Sequence, residues 1–260
     1  MFANERQKKI AEMLKDKGAV LTAELVKLFG VSIETVRRDL LAMEAAGMLT
    51  RVHGGAVENG GMTPRLTLSE RTKEHESQKK ALADTAAAYI SEGDVVGIDQ
   101  GSTAIALAFA IKRRFTRLTV ITHSLDVFNI LAGHREIQVI LIGGYYMAEE
   151  NALYGKPALS MLSQMRVGKA FIFPSGISVT DGIFDFQNEL CQMQSALIGS
   201  ADEVYILADS TKLERRALLK ISDMNTAYKY ITDSSVSEEI KKLYLENNIK
   251  LITEYEGAKK

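Results

Sequence analysis

The 260-residue chain has one cysteine, three prolines and no tryptophan. A single cysteine, Cys191, excludes an internal disulfide and fits a reducing compartment. The four histidines, His53, His75, His123 and His134, show no metal-ligand spacing with one another or with Cys191, so neither a metal nor a cofactor is expected. No apolar run approaches the roughly 18 residues of a membrane span. The opening "MFANERQKKIAEMLK" is charged where a secretion signal would be apolar. These absences lead to the expectation of a cytoplasmic protein without membrane contact. No excess of either charge is present: 32 Lys+Arg stand against 33 Asp+Glu, a formal net charge of -1. That balance points to neither a nucleic acid nor a membrane surface, but an average leaves room for a local patch. Apolar residues are plentiful at 46%, enough for a full core in one or two domains.

The chain changes rhythm along its length. Residues 1–57 read as short helices. "ERQKKIAEMLKDKG" puts Ile10, Met13 and Leu14 on one face and stops at Gly18. Thr22 can cap a second helix that Gly30 ends, and Ser32 a third that runs to about Ala46. "MLTRVHGGAV" then reads as two short strands about a Gly-Gly turn. Residues 58–76 are polar, with paired glycines and a proline, and read as a linker. From residue 77 to 260, helical patterns alternate with β-rich runs: "VVGID", "LTVIT", "IQVILIG", "KAFIFP", "VYILAD", "YKYIT" and "IKLIT". This alternation predicts an α/β domain with a largely parallel sheet.

In "VSIETVRRDLLAM" the helical period puts Ile33, Val36, Leu40 and Met43 on the core face. Thr35 and Arg37 flank that face, and Arg38 lies roughly opposite. A hydroxyl and an arginine pair early in a helix, across a tight turn from another helix, suit a helix-turn-helix whose second helix enters the major groove. Arginine can read guanine bidentately, and Ser or Thr can take phosphate or base edges. Arg51 and His53 lie on the following hairpin, placed as a wing.

The polar residues of the second domain gather just after the expected strands. They are Asp99, Gly101, Ser102 and Thr103; His123; Gly143 and Gly144; Ser175 and Gly176; and Asp209 and Lys212. Ligands of open α/β sheets bind at the carboxyl ends of the strands, so these turns predict one pocket. Ser102 and Thr103 open a helix whose positive end can cradle an anion. Gly143 and Gly144 permit close backbone approach. Lys212 can neutralise a phosphate, and Asp99 can accept from hydroxyls. Glu189 and Gln192 sit at i and i+3 of a further helix, facing one way.

Over residues 6–57 the chain resembles the winged helix-turn-helix of the DeoR family of bacterial repressors, through "VSIETVRRDL" and "RVHGGA". Over roughly 77–235 it resembles the sensor domain of the same family, through "IDQGSTAIALA", "LTVITHSL", "LIGGYY", "GKPAL" and "LADSTKL". The resemblance implies that Thr35, Arg37 and Arg38 contact double-stranded operator DNA, that Ser32 meets a phosphate, and that Arg51 and His53 belong to the wing. It also implies a sensor fold related to ribose-5-phosphate isomerases and coenzyme A transferases, with a phosphorylated sugar or related metabolite as effector. Two positions depart from the family pattern. His123 stands where asparagine is usual, and Gln192 where a lysine usually follows the glutamate by three. The expected function is a non-enzymatic repressor of a carbohydrate operon, acting as a homo-oligomer, dimer or tetramer, because operators are normally read as half-sites. One alternative is a sugar-phosphate isomerase or transferase with an accessory DNA-binding head, using Asp181, Asp185 or Glu189 as base. The other is a DNA-bending protein whose second domain only dimerises.

Overall fold

The structure is a computed structural model that describes residues 2–17, 19–52, 54–58 and 66–255. The N-terminal domain runs α1 (Ala3–Lys17), β1 (Ala19–Leu21), α2 (Thr22–Phe29), α3 (Ile33–Ala45), β2 (Leu49–Val52) and β3 (Gly55–Glu58). Gly30 ends α2 in the left-handed region at φ 64°, and the Ser32 side chain accepts from the Thr35 N–H to cap α3. Thr22 is the first residue of α2 rather than its cap; that place falls to Leu21. Ile10, Leu14, Leu25, Val36, Leu40 and Met43 are buried together.

Three features differ from expectation. Ile33 is 46% exposed, because the first turn of α3 projects beyond the core its later turns cover. The hairpin gains a third strand, β1, giving the order β1-β3-β2 with Val20 opposite Ala56. Only glycine admits that strand: a Cβ on Gly55 would lie 2.0 Å from the Val20 carbonyl oxygen. Asp39 is buried inside α3 and takes a two-pronged ion pair from Arg6 of α1, at 2.6 and 3.1 Å.

The expected linker contains a helix, α4 (Leu68–Lys73), closed by a reciprocal capping box between Thr67 and Glu70. Then follow α5 (Glu76–Ala87), β4 (Val95–Ile98), α6 (Ser102–Arg114), β5 (Leu118–Thr122), α7 (Leu125–Leu131), β6 (Ile137–Leu141), β7 (Tyr145–Met147), β8 (Ala152–Tyr154), α8 (Lys156–Leu162), β9 (Val167–Ile172), β10 (Gly176–Ser178), β11 (Gly182–Asp185), α9 (Asn188–Gly199), β12 (Ala201–Leu207), β13 (Leu219–Ser222), β14 (Lys229–Ile231), α10 (Glu238–Glu246) and β15 (Leu251–Ile252). Among the described residues no helix is long and apolar enough to cross a membrane.

All seven expected β-rich runs join one parallel sheet, ordered β15-β14-β12-β9-β4-β5-β6. One core packs α5, α6 and α7 on one face; the other packs α8, α9 and α10 on the opposite face. The chain builds outward from β4 in one direction through β5 and β6. It then returns to β9 and builds outward in the other. β4 and β9 therefore flank a topological switch point, where connections leave on opposite faces, the place at which open α/β sheets bind their ligands. The β7–β8 hairpin and the antiparallel sheet β10-β11-β13 were not expected; strands of three or four residues give too short a run for period-two patterning to show.

Candidate DNA interface and ligand site

On α3 the hydroxyls of Ser32 and Thr35 lie 2.9 Å apart. Ser32 thus serves first as a helix cap. Arg37, Arg38 and Arg51 are exposed, and Thr35 is half-buried. Arg37 and Arg51 face one hollow of about 410 Å³ between α3, the turn of the hairpin and the start of α2, shared with Ile33 and Gly54. In the free protein each arginine already holds a carboxylate. Arg37 pairs with Glu34 at 2.8 Å, and Arg51 with Glu44 at 2.7 Å. The Arg51 backbone N–H, then its guanidinium, hold the Glu44 carboxyl below the usual carboxylate range. His53 lies outside the described residues.

At the switch point the fully buried Asp99 carboxylate joins the ends of β4 and β9. Its Oδ2 accepts from the Phe173 N–H at 3.2 Å and from Gln194 Nε2 at 3.0 Å. Its Oδ1 lies 3.0 Å from His123 Nε2. The other ring nitrogen, Nδ1, is 3.0 Å from the Leu153 carbonyl. A carbonyl oxygen only accepts, so Nδ1 is the donor of that bond. Gln194 Nε2 also donates to Asp185 Oδ2 at 3.0 Å, and Ser175 Oγ donates to Asp185 Oδ1 at 2.9 Å. One buried polar chain thus runs from β8 through His123, Asp99, Gln194 and Asp185 to Ser175. The hairpin that supplies Leu153 also carries Glu150, which accepts twice from Arg71 of α4, at 2.7 and 2.5 Å.

Gly101 precedes α6 at φ 119°, a conformation closed to other residues, and no side chain among the described residues caps that helix. Ser102 and Thr103 are buried at its start. After β12, Asp209 caps the short 3-10 turn Ser210–Lys212, accepting from the Thr211 N–H at 3.2 Å; Asp233 holds Ser210 from the other side. Lys212 Nζ donates to the Pro174 carbonyl at 3.3 Å and stands 3.9 Å from Asp209.

Several expected site residues do other work. Gly144 and Gly176 do permit close approach, but their own chain takes the space: added Cβ atoms would lie 2.4 Å from the Tyr154 oxygen and 2.5 Å from the Arg215 oxygen. Gly143 is exposed, with no atom of the described residues within 4 Å of an added Cβ. Gln192 is exposed and Glu189 half-exposed on α9, whereas Gln194, not expected, is the buried member of the network. The helical period explains the exchange. Leu190, Met193, Gln194 and Leu197 form the buried stripe, and Gln192 points away from it.

A winged helix-turn-helix joined to an α/β domain with a polar switch point defines a ligand-responsive DNA-binding regulator. Residues 6–60 match the DeoR-like helix-turn-helix domain, and residues 74–234 the DeoR C terminal sensor domain. The chain belongs to the DeoR family of transcriptional regulators. The lactose phosphotransferase system repressor of Lactococcus lactis subsp. lactis is 33% identical over 92% of this chain and 94% of its own length. The glycerol-3-phosphate regulon repressor of Escherichia coli (strain K12) is 27% identical over 96% of this chain and 99% of its own. Among solved structures, a ribose 5-phosphate isomerase from Methanocaldococcus jannaschii overlaps 54% of this chain and 55% of its own at 18% identity and a TM-score of 0.39.

Proposed function

We propose that the chain, as a homo-oligomer, represses a carbohydrate-metabolism operon, and that a phosphorylated sugar bound at the switch point changes its hold on the operator. The start of α6 carries this reading. Its first N–H groups are orphan donors at the positive end of a thirteen-residue helix at the switch point, with two hydroxyls beside them. Lys212, in the turn after β12 two strands away, supplies a cation. Asp99 and His123 suit sugar hydroxyls. The relatives named for the lactose and glycerol-3-phosphate systems support a carbohydrate pathway.

Catalysis is not part of the reading. A general base works best with a pKa near the operating pH. The Ser178 hydroxyl first, then Thr180 and Arg216, hold Asp181 below the ordinary carboxylate range. Asp185 is fully buried and accepts from Ser175, Phe186 and Gln194.

The test is a mobility shift with the DNA upstream of the encoding operon, titrated with sugar phosphates and free sugars. One phosphorylated sugar changes operator affinity by about 5- to 150-fold, the usual span of allosteric coupling, and is recovered unconverted. Silence across the whole panel favours the DNA-bending reading, response to free sugars alone removes the phosphate, and turnover makes the chain an enzyme. His123→Asn shifts the ligand response because asparagine cannot span from Asp99 to the Leu153 carbonyl as the ring does. Bare operator affinity stays unchanged; a fall in it without ligand argues against a ligand-site role for His123.

A further inference from the structure

Two glutamates follow one another in the turn of the β7–β8 hairpin. Glu149 is exposed, but Glu150 is only 2% exposed. Its carboxylate takes both bonds from Arg71 Nη2, at 2.7 and 2.5 Å. Stability alone is a poor reason for such a pair, because well-packed apolar residues of similar size serve as well or better. What the pair adds is position: its bonds form only when the hairpin and α4 stand in one register.

The hairpin end of the pair is fixed to the ligand site. His123 holds Leu153 twice: its carbonyl accepts from the Leu153 N–H at 2.8 Å, and its Nδ1 donates to the Leu153 carbonyl at 3.0 Å. Two residues earlier, the Asn151 carbonyl accepts from the Leu125 N–H at 3.0 Å, and the Asn151 side-chain amide donates to Asp126 Oδ1 at 3.0 Å. Asn151 turns the chain at φ 47°, a left-handed conformation that asparagine adopts more readily than most residues. These bonds tie residues 151–153 to residues 123–126, and Glu150 is the next residue along. His123 in turn meets Asp99 at 3.0 Å. A shift of His123 against Asp99 therefore carries Glu150 with it.

The helix end of the pair leads to the head. Arg71 Nε donates to the Leu66 carbonyl at 3.1 Å while Nη2 holds Glu150. Leu66 is where the chain arrives from the head: residues 59–65 join it to Glu58, the last residue of β3. One guanidinium thus grips both the hairpin and the point at which the sensor receives the linker.

We propose that Glu150 and Arg71 are the coupling pair of the regulator, passing the state of the ligand site to the segment that carries the head. The proposal rests on the ligand-responsive reading above. A ligand hydroxyl that bonds Asp99 or His123 alters the contact between them, the hairpin follows, and Glu150 keeps or leaves Arg71. With Glu150 buried, the pair is either made or broken, with little between. An element with two discrete arrangements is what coupling between distant sites requires.

A double-mutant cycle on the full chain tests this, with operator duplex and a set of pentose and hexose phosphates as probes. Each variant yields operator affinity without probe, probe affinity without operator, and the factor by which one changes the other. In the wild type that factor is about 5- to 150-fold. Glu150→Met and Arg71→Met each leave a charge without its partner and melt below the wild type. The two together recover most of the melting temperature and keep both separate affinities within about threefold, yet the coupling factor falls below about twofold. A pair that only braces the fold would regain its coupling with its stability. Wild-type coupling in the double variant overturns the proposal and leaves the ligand site standing; the route then runs through α6, on which α4 also packs. A wild type that responds to no probe removes the ligand-responsive reading, and this proposal with it. Should the double variant fail to fold, Glu150→Gln decides in its place. It keeps the shape and loses the charge, so coupling falls at least about threefold, and unchanged coupling overturns the role of the pair.

Discussion

Asp39→Ala destabilises the N-terminal domain by about 3 kcal/mol, the low end of the range for removing one partner of a buried ion pair. The low end applies because the pair lies in a small domain, near its surface. Asp39 is 4% exposed and Arg6 7%, and two bonds of 2.6 and 3.1 Å tie α1 to α3. Alanine leaves the guanidinium buried without its carboxylate. Against the 5–15 kcal/mol of a typical domain that loss is large. Hydrogen exchange on the full chain shows the amides of α1 and α3 opening together, about a hundredfold more often. Operator affinity falls with them, because α3 loses its anchor. Arg6→Met combined with Asp39→Leu recovers most of the stability, since a well-packed apolar pair replaces a buried ion pair at little cost. Exchange rates in Asp39→Ala equal to wild type would show that the bridge contributes nothing.

The second large effect is on recognition. Arg37→Ala with Arg38→Ala lowers operator affinity by about 30- to 10⁴-fold, taking about 1–3 kcal/mol for each arginine that pairs with a base. Successive residues of a helix are about 100° apart, so the two side chains do not read the same feature. Arg37 faces the hollow shared with Arg51. Fluorescence anisotropy on operator and random duplex, at one salt concentration, separates the roles. Loss confined to the operator marks base reading. Equal loss on both marks phosphate contact, and no loss on either removes these residues from the interface. Circular dichroism confirms that the fold is intact, as expected for exposed positions.

The helices of the head and the seven strands of the sensor sheet could be read in the sequence, because caps, glycine stops and apolar runs are local signals. β1 could not: three residues, Ala19–Leu21, become a strand only because Gly55 admits them. The residues that sequence reasoning missed share one signature. Asp39 falls in the stripe Val36, Asp39, Leu40, Met43; Gln194 in Leu190, Met193, Gln194, Leu197; Lys79 in Lys79, Leu82, Ala83, Ala86. Each is a polar side chain at a core position of a helical period. "RRD", "QMQ" and "QKK" read as solvated runs when each residue is weighed by type. Weighed by phase, they are buried polar groups that need partners. The reverse holds for Ile33, whose phase fits the core but whose turn extends past it.

The pairing of Arg37 with Glu34 and of Arg51 with Glu44 has a consequence for how the regulator moves through a genome. A phosphate must evict a carboxylate before it gains either arginine. Each exposed pair is worth less than about 1 kcal/mol, so the toll is small where an operator adds base contacts. On random duplex, phosphate attraction is nearly the whole of the affinity. The head carries 9 Lys+Arg against 7 Asp+Glu over residues 1–57, a net of +2, so that attraction is already weak. In the proposed DNA interface the two glutamates therefore shorten each stop on the wrong DNA, so that the protein samples many sites briefly instead of resting on a few.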